Sequence, residues 1–321
     1  PNSYMMAACW FGVVKAGGIA VSTMPLFRAK ELRVIIEKAQ IKIALCDARL
    51  KDELISAQAE SMLEQILLFG GSELEKKMSA KPEIFENCPT NSDDTCLIAF
   101  TSGTTGKPKG VVYHHRGAYL MSMGTAVGWE LSNHPRYLYS VPMFHCNGWC
   151  FPWALAAVAG TSVCLRKVEP APIYDAIADA GITHFCGAPV VLGMLINAPE
   201  SEKRDFNQVV RVMTAASPPP AAVLAAMESA GFLVTHVYGL TETYGPAVIC
   251  AWHESWNALS TDARAEKKSR QGVPYHVLDQ LEIFDPETMT AVTADGETMG
   301  EAMFRGNNWP LYPPHPASAM P

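Results

Sequence analysis

Charge is scarce in this 321-residue chain: Asp, Glu, Lys and Arg make up 18% of it, and 32 acidic residues outnumber 25 basic ones. The formal net charge of −7 argues against nucleic acid or an anionic membrane as partner, since both select for basic faces. No uninterrupted apolar run is long enough to span a bilayer. No CxxC pair occurs among the nine cysteines, at positions 9, 46, 88, 96, 146, 150, 164, 186 and 250. Most lie within apolar runs, so they read as reduced, buried small hydrophobes of a cytoplasmic protein, not as a disulfide framework or zinc site. Cys146 and Cys150 stand four apart, but no second ligand pair accompanies them. No internal repeat is visible. Apolar residues, at 49%, supply ample core, and the length suits one large or two ordinary domains.

Helix-like and strand-like patterns alternate along the chain. Residues 29–40 carry Leu32, Ile35, Ile36 and Ala39 at helical spacing, followed by a β-rich run over 41–46. Further strands are expected at 137–142, 161–165, 184–187, 209–213 and 233–238. Helices are expected at 172–180, stopped by Gly181, and at 219–230, stopped by Gly231. The Ala-rich stretches 154–159 and 221–226 read as helix packing surfaces. Short apolar strands separated by helices predict an α/β fold whose β-sheets are covered by flanking helices. After about residue 270 the pattern becomes strands without helices, at 281–284 and 302–304, joined by a turn-rich stretch. The expected division is therefore an α/β portion over 1–270, the start of a small β-barrel-like subdomain over 271–308, and an irregular tail over 309–321. Five prolines in that tail forbid regular structure. Together with a start at Pro1 inside helix-like sequence, it gives the expectation of a fragment whose tail is a linker, an expression scar or a shifted reading frame.

The segment Thr101-Ser-Gly-Thr-Thr-Gly-Lys-Pro-Lys-Gly110 is the richest in chemistry. After a strand it offers backbone N–H groups, hydroxyls and ammonium charge together, which suits a polyphosphate. It is not the common nucleotide-binding loop: Gly103 and Gly106 are too close, and Lys107 precedes Pro108, not Ser or Thr. Pro108 also keeps Lys107 out of the α region, so no helix starts there. Three other segments stand out. In Pro142-Met-Phe-His-Cys-Asn-Gly-Trp149 a strand is expected to end in His145, which alone reads equally as a structural histidine. Thr214-Ala-Ala-Ser-Pro-Pro219 is a small-residue turn after a strand that would let a flat ring approach the backbone. In Tyr238-Gly-Leu-Thr-Glu-Thr-Tyr-Gly245 a strand is expected to end, with Gly239 permitting a sharp turn. Thr241 and Glu242 there supply oxygens suited to Mg²⁺ on phosphate, although Glu242 alone reads as a solvated loop carboxylate.

Taken together, these segments resemble the adenylate-forming superfamily of acyl-CoA synthetases, adenylation domains and luciferases. Thr101–Gly110 is similar to the family's phosphate loop, and Tyr238–Glu242 to its Tyr-Gly-x-Thr-Glu motif. Thr214–Pro219 falls where the adenine turn belongs, with Ala-Ala-Ser in place of the commoner Gly-Ala-small. Gly300-Glu-Ala-Met-Phe-Arg-Gly306 resembles the Gly-Glu motif before the hinge, and Gly12–Pro25 an early glycine-rich segment. The resemblance covers residues 1–308. Phe144–Phe151, and Tyr238–Cys250 followed by Trp252 and Trp256, look most like acyl-CoA ligases of medium-chain, branched or sulfur-containing aliphatic acids, including methylthiopropanoate-CoA ligases, and benzoate-type plant relatives are also similar. No Asp that would bind an amino group is identifiable in Trp149–Trp153, which favours a simple carboxylic acid.

The resemblance implies an αβαβα-type N-terminal domain and a two-step reaction. A carboxylate attacks the α-phosphate of ATP to give acyl-AMP with release of pyrophosphate, and the thiol of coenzyme A then displaces AMP to form the acyl-CoA thioester. Thr101, Ser102, Gly103, Thr104, Thr105, Gly106 and Lys109 are implied at the β- and γ-phosphates, with Lys107 a weaker member. Thr241 is implied at the α-phosphate, Glu242 at Mg²⁺, and His145 at the substrate carboxylate. Tyr238 and Gly239 are implied at adenine, with Ala215, Ala216 and Ser217 lining it. Met143, Trp149, Gly239 and Tyr244 are candidates for the acyl pocket, with ordinary core packing equally open. His114, His115 and Arg116 read as the start of the next helix, without a catalytic role. The family's ribose-binding Asp does not follow Gly306, and its hinge and C-terminal lid domain with its lysine are not seen. The expectation is therefore a chain that binds ATP weakly and ligates poorly or not at all. An adenylation domain that loads a carrier protein, a luciferase-like acceptor and a non-catalytic truncated product remain alternatives. A homodimer is compatible with the sequence, which has no signature of oligomeric state.

Overall fold

The computed structural model describes residues 2–71, 73–102, 108–217 and 219–307. Two compact units share the chain: one holds residues 1–115 and 142–148, the other 116–141 and 149–309. The expected 309–321 tail lies outside the described residues.

The first unit contains α1 (Tyr4–Lys15), β1 (Ala20–Val21), α2 (Ala29–Ala39), β2 (Ile43–Asp47), α3 (Lys51–Gln58), β3 (Gln65–Phe69), α4 (Glu73–Ser79), β4 (Thr95–Ser102) and β5 (Pro108–His114). Parallel β2 and β3 form one small sheet, and β1, β4 and β5 another. Leu32 and Ile36 of α2 pack with Leu54 and Ala57 of α3 and Leu63, so the amphipathic stripe read from 29–40 covers the β2–β3 sheet. β4 and β5 pair antiparallel with Thr101 opposite Lys109 and Ser102 opposite Pro108. The glycine-rich segment thus connects two strands, as Pro108 requires.

The second unit contains α5 (His115–Gly128) from its second residue on, β6 (Arg136–Tyr139), α7 (Phe151–Ala157), β7 (Thr161–Cys164), α8 (Pro170–Ala180), β8 (His184–Cys186), α9 (Pro189–Ile196), β9 (Val210–Thr214), α10 (Ala221–Ser229), β10 (Phe232–Leu240), β11 (Gly245–Ile249), α11 (Thr261–Ser269), β12 (Val273–Pro274), β13 (Leu278–Phe284) and β14 (Glu301–Gly306), while all but the last residue of α6 (Cys146–Trp149) belongs to the first. Seven strands form one sheet in the order β12-β11-β10-β9-β8-β6-β7. The five from β7 to β10 are parallel; β11 and β12 run antiparallel. Ile173 and Ile177 of α8, Leu192 and Leu195 of α9, and Leu224 and Met227 of α10 bury one face against Leu138, Phe185, Val212 and Phe232. On the other face Tyr137 stacks on Phe151 of α7 (4.4 Å), and Tyr275 donates a hydrogen bond to Thr125 of α5 (3.2 Å). Both faces are covered, which is why the strands read as continuous apolar runs. β13 and β14 form a separate antiparallel pair.

Several boundaries moved for identifiable reasons. α8 starts two residues earlier than expected because Pro170 takes its first turn, and Gly181 ends it at φ +59°. β6 stops at Tyr139, where the Ser140 N–H turns back to Leu138 O (3.0 Å) and leaves the ladder. The alanines of α7 and α10 are divided: Ala154 is fully buried and Ala225 packs against the core, whereas Ala156, Ala157, Ala221 and Ala222 are exposed. All nine cysteines are free, but Cys88 is exposed and Cys9, Cys46 and Cys164 only half-buried, so the expected burial holds for five.

His184 of β8 is buried, with Nδ1 2.8 Å from Thr183 Oγ1. Burial, then the charge of neighbouring Arg211, lowers its pKa to about 4. Because the unfolded chain binds this proton near pH 6.5, the effect is absent above that value, and stability falls as pH drops from 6.5 towards 4. At about 1.4 kcal/mol per pH unit the loss approaches roughly 3 kcal/mol. Urea unfolding across this range should show a smaller loss in His184→Gln than in wild type; equal slopes would refute the assignment.

Candidate active site

Parallel pairing sets the candidate site in the second unit. β9 and β10 pair from Val210↔Phe232 to Thr214↔His236, so their carboxyl ends emerge side by side. Ala215–Ser217 follows one end, and Tyr238–Glu242 lies at the other. Two sequence-predicted segments, separated by more than twenty residues, are thereby brought to one edge of the sheet. Such carboxyl ends are where α/β sheets hold their ligands.

The first turn is strained. Ala215 is buried, Ala216 and Ser217 are exposed, and Ala216 adopts φ +84°. A side chain at positive φ costs energy that glycine avoids. The commoner Gly-Ala-small pattern would not supply that relief, since its glycine aligns with Ala215.

The second segment differs from expectation. β10 does not end at Tyr238 but runs to Leu240, with a register shift between Tyr238 and Gly239. Gly239 is required by close approach, not by a turn: a Cβ there would lie 2.1 Å from the Gly245 carbonyl oxygen. A short 3₁₀ turn, Thr241–Thr243, follows. The Thr243 hydroxyl accepts the Leu240 N–H (2.9 Å) and donates to Gly245 O (2.6 Å). Tyr244 is fully buried in the left-handed region (φ +59°), and its hydroxyl accepts Trp153 Nε1–H (2.5 Å). Thr243 and Tyr244 therefore anchor the turn inward, while Thr241 and Glu242 remain half-buried. Among the described residues nothing hydrogen-bonds or pairs with the Glu242 carboxylate. A cation that keeps water and phosphate oxygens needs only one or two carboxylates. No cluster of three or more His, Cys, Asp or Glu that could cage a metal occurs among the described residues. The donor set thus fits a phosphate-borne Mg²⁺ and not a protein-caged ion. Tyr238 is half-buried, and Tyr244, placed among acyl-pocket candidates, is held as core.

In the first unit, Thr101 is half-buried and Lys109 exposed at the ends of β4 and β5. Gly103, Thr104, Thr105, Gly106 and Lys107, with the side chain of Ser102, lie outside the described residues. Lys38 donates to Pro108 O (2.7 Å), tying α2 to the start of β5. His115 and Arg116 open α5 as expected, whereas His114 still belongs to β5, paired with Thr95. His145 is not at a strand end: it occupies the turn before α6, with its N–H bonded to Pro142 O (3.1 Å). The side chain reaches solvent, yet crowding by surrounding protein lowers its pKa, favouring the neutral imidazole. Met143 is fully buried, and its N–H donates to Asn2 Oδ1 (2.8 Å). Beyond His145 the backbone is strained: Cys146, Trp149 and Cys150 all have positive φ (43°, 58° and 66°). Runs of this kind persist only where the surroundings over-determine them.

Sequence reading missed Trp153, which fixes Tyr244, and Phe304, whose ring lies parallel to Tyr238. No spacing rule joins residues 153 and 244 or 238 and 304; only the folded sheet does.

Gly239→Ala should lower unfolding free energy by about 3 kcal/mol, since the clash is with backbone that cannot move aside. Ala216→Gly should raise it by about 0.5–1 kcal/mol, the left-handed strain less the added entropy of the unfolded glycine. Denaturant melts of both variants check the pair; the reverse signs would refute the geometry.

The AMP-binding enzyme family model matches residues 1–309. An acetate–CoA ligase from Humulus lupulus is 48% identical over 247 residues, covering 76% of this chain and 44% of that protein. A 2-methylpropanoate–CoA ligase from the same plant is 39% identical over 328 residues, covering 96% of this chain and 59% of that protein. The chain thus spans about half the length of the curated relatives it matches. The fold is shared with the N-terminal domain of FACL13 from Mycobacterium tuberculosis (TM-score 0.83, 19% identity, 97% of this chain and 75% of that one). It is shared also with an O-succinylbenzoate coenzyme A synthetase from Bacillus subtilis solved with ATP and magnesium (TM-score 0.81, 21% identity, 97% and 60%). A family match over nearly the whole length, on a sheet that carries the family's motifs at neighbouring strand ends, makes this chain a member of the AMP-binding enzyme family.

Proposed function

We propose that the chain carries the nucleotide-binding part of an AMP-forming acid–CoA ligase acting on a small or medium-chain carboxylic acid. The observation that carries this reading is the emergence of Ala215–Ser217 and Tyr238–Glu242 from neighbouring parallel strands. Relatives named for acetate and 2-methylpropanoate favour a short or branched aliphatic acid.

Carboxylate is a weak nucleophile and triphosphate is densely charged, so the protein's work is positioning and charge neutralisation. The small-residue turn admits the adenine ring and Tyr238 stacks on it. Thr241 hydrogen-bonds the α-phosphate. Thr101, Lys109 and the segment between them hold the β- and γ-phosphates. Glu242 would hold Mg²⁺, which would supply neutralisation of phosphate charge. The neutral His145 donates an N–H to a substrate carboxylate oxygen and fixes its angle of attack. Displacement of AMP by the coenzyme A thiol completes the reaction.

The test is direct ATP binding together with acid-dependent ATP–pyrophosphate exchange and thioester formation, using short, branched, medium-chain and aromatic acids. Glu242→Gln should lower exchange by about 10²-fold, the scale of one lost charge contact. Absence of both ATP binding and exchange would sink the reading. Exchange followed by acyl transfer only to a carrier protein would replace coenzyme A as acceptor.

A further inference from the structure

Tyr238 and Phe304 come from different sheets. Tyr238 lies in β10 opposite Val248, immediately before the register shift at Gly239. Phe304 lies in β14 opposite Leu281. Their rings run nearly parallel, 15° apart, with centroids at 6.2 Å. This is the displaced-parallel arrangement that aromatic pairs prefer. Both residues are half-buried. Among the described residues no hydrogen bond holds the Tyr238 hydroxyl, so the orientation of its ring is set by packing. Phe304 supplies an aromatic neighbour on one face of that ring.

We infer that Phe304 is a positioning residue: it braces Tyr238 so that the phenol ring is already oriented as a stacking platform before a nucleotide base arrives. The inference rests on the reading of Tyr238 as the adenine contact. Without Phe304 the Tyr238 side chain gains access to other staggered rotamers, and base binding must then select the stacked one. The effect falls on the base and not on the phosphates, because Thr241 and Glu242 are anchored separately through Thr243 and Tyr244. It makes β14 part of the nucleotide platform, although no residue of β14 is required to touch the nucleotide.

Calorimetric titration of the 321-residue chain with ATP, and in parallel with inorganic tripolyphosphate, tests the idea. Phe304→Ala should weaken ATP binding by about 2- to 12-fold, the loss of one aromatic pair, and leave tripolyphosphate binding unchanged. Phe304→Tyr, which keeps a ring, should restore ATP affinity, whereas Phe304→Leu, which keeps only apolar bulk, should not. In a Tyr238→Ala background Phe304→Ala should change ATP affinity no further. A merely structural role would weaken both ligands and persist in that background. Wild type that binds ATP with Phe304→Ala indistinguishable from it overturns the bracing while leaving the ligase reading intact. Tighter ATP binding in Phe304→Ala would mean that Phe304 competes for the base's face, and also overturns it. Wild type that binds tripolyphosphate but not ATP overturns the Tyr238 assignment and the bracing with it.

Discussion

The five-pair parallel ladder between β9 and β10 fixes where the two candidate-site segments of the second unit emerge. Parallel strands need a covered connection between them, and α10 supplies it, burying Leu224 and Met227. The connection returns the chain to the same end of the sheet, so the turn after Thr214 and the end of β10 must face one region. A slip of one residue in that ladder would send Val212 and Val234 to the opposite face. The core under α10 therefore holds the spacing between Ala216 and Tyr238 as firmly as it holds the fold.

Beyond the ladder, the segment after Tyr238 divides its residues between anchoring and presentation. Gly239 lets the Gly245 backbone approach, Thr243 satisfies two backbone groups, and Tyr244 inserts a full aromatic ring that Trp153 ties down. These contacts fix a turn of only three residues, so Thr241 and Glu242 are held with little freedom of their own. The same residues oppose stability locally: Ala216 and Tyr244 sit at positive φ, and a half-buried carboxylate stands without a partner among the described residues. A sheet buried on both faces can support such local costs because its own packing is large.

Much of this was legible in the sequence. The apolar strands and the proline-started helices follow from local rules, and the motif pairing pointed to the family. Illegible features were those set by tertiary approach. Gly239 reads as a turn glycine, but its role is to admit a backbone 2.1 Å from where a Cβ would sit. His145 reads as a strand terminus, but the Ser140 N–H had already left the ladder at Tyr139. Residues 51–79 gave no assignment from periodicity, yet they fold as α3, β3 and α4, because β3 needs β2 to pair with. Tyr244, a pocket candidate by proximity to the motif, is core because Trp153 reaches it from 91 residues away.

These cases share a cause. Composition and spacing report what a residue can do, whereas its task is decided by which neighbour first satisfies it. Glu242 and Thr243 are adjacent and both polar, yet Thr243 spends its hydroxyl on backbone while no described residue occupies the Glu242 carboxylate. Buried polar groups are paired almost without exception, so an unpaired carboxylate beside a fully satisfied threonine is informative where either residue alone is not. The contrast is sharpest in a turn of three residues, where both side chains experience the same backbone and differ only in what they meet.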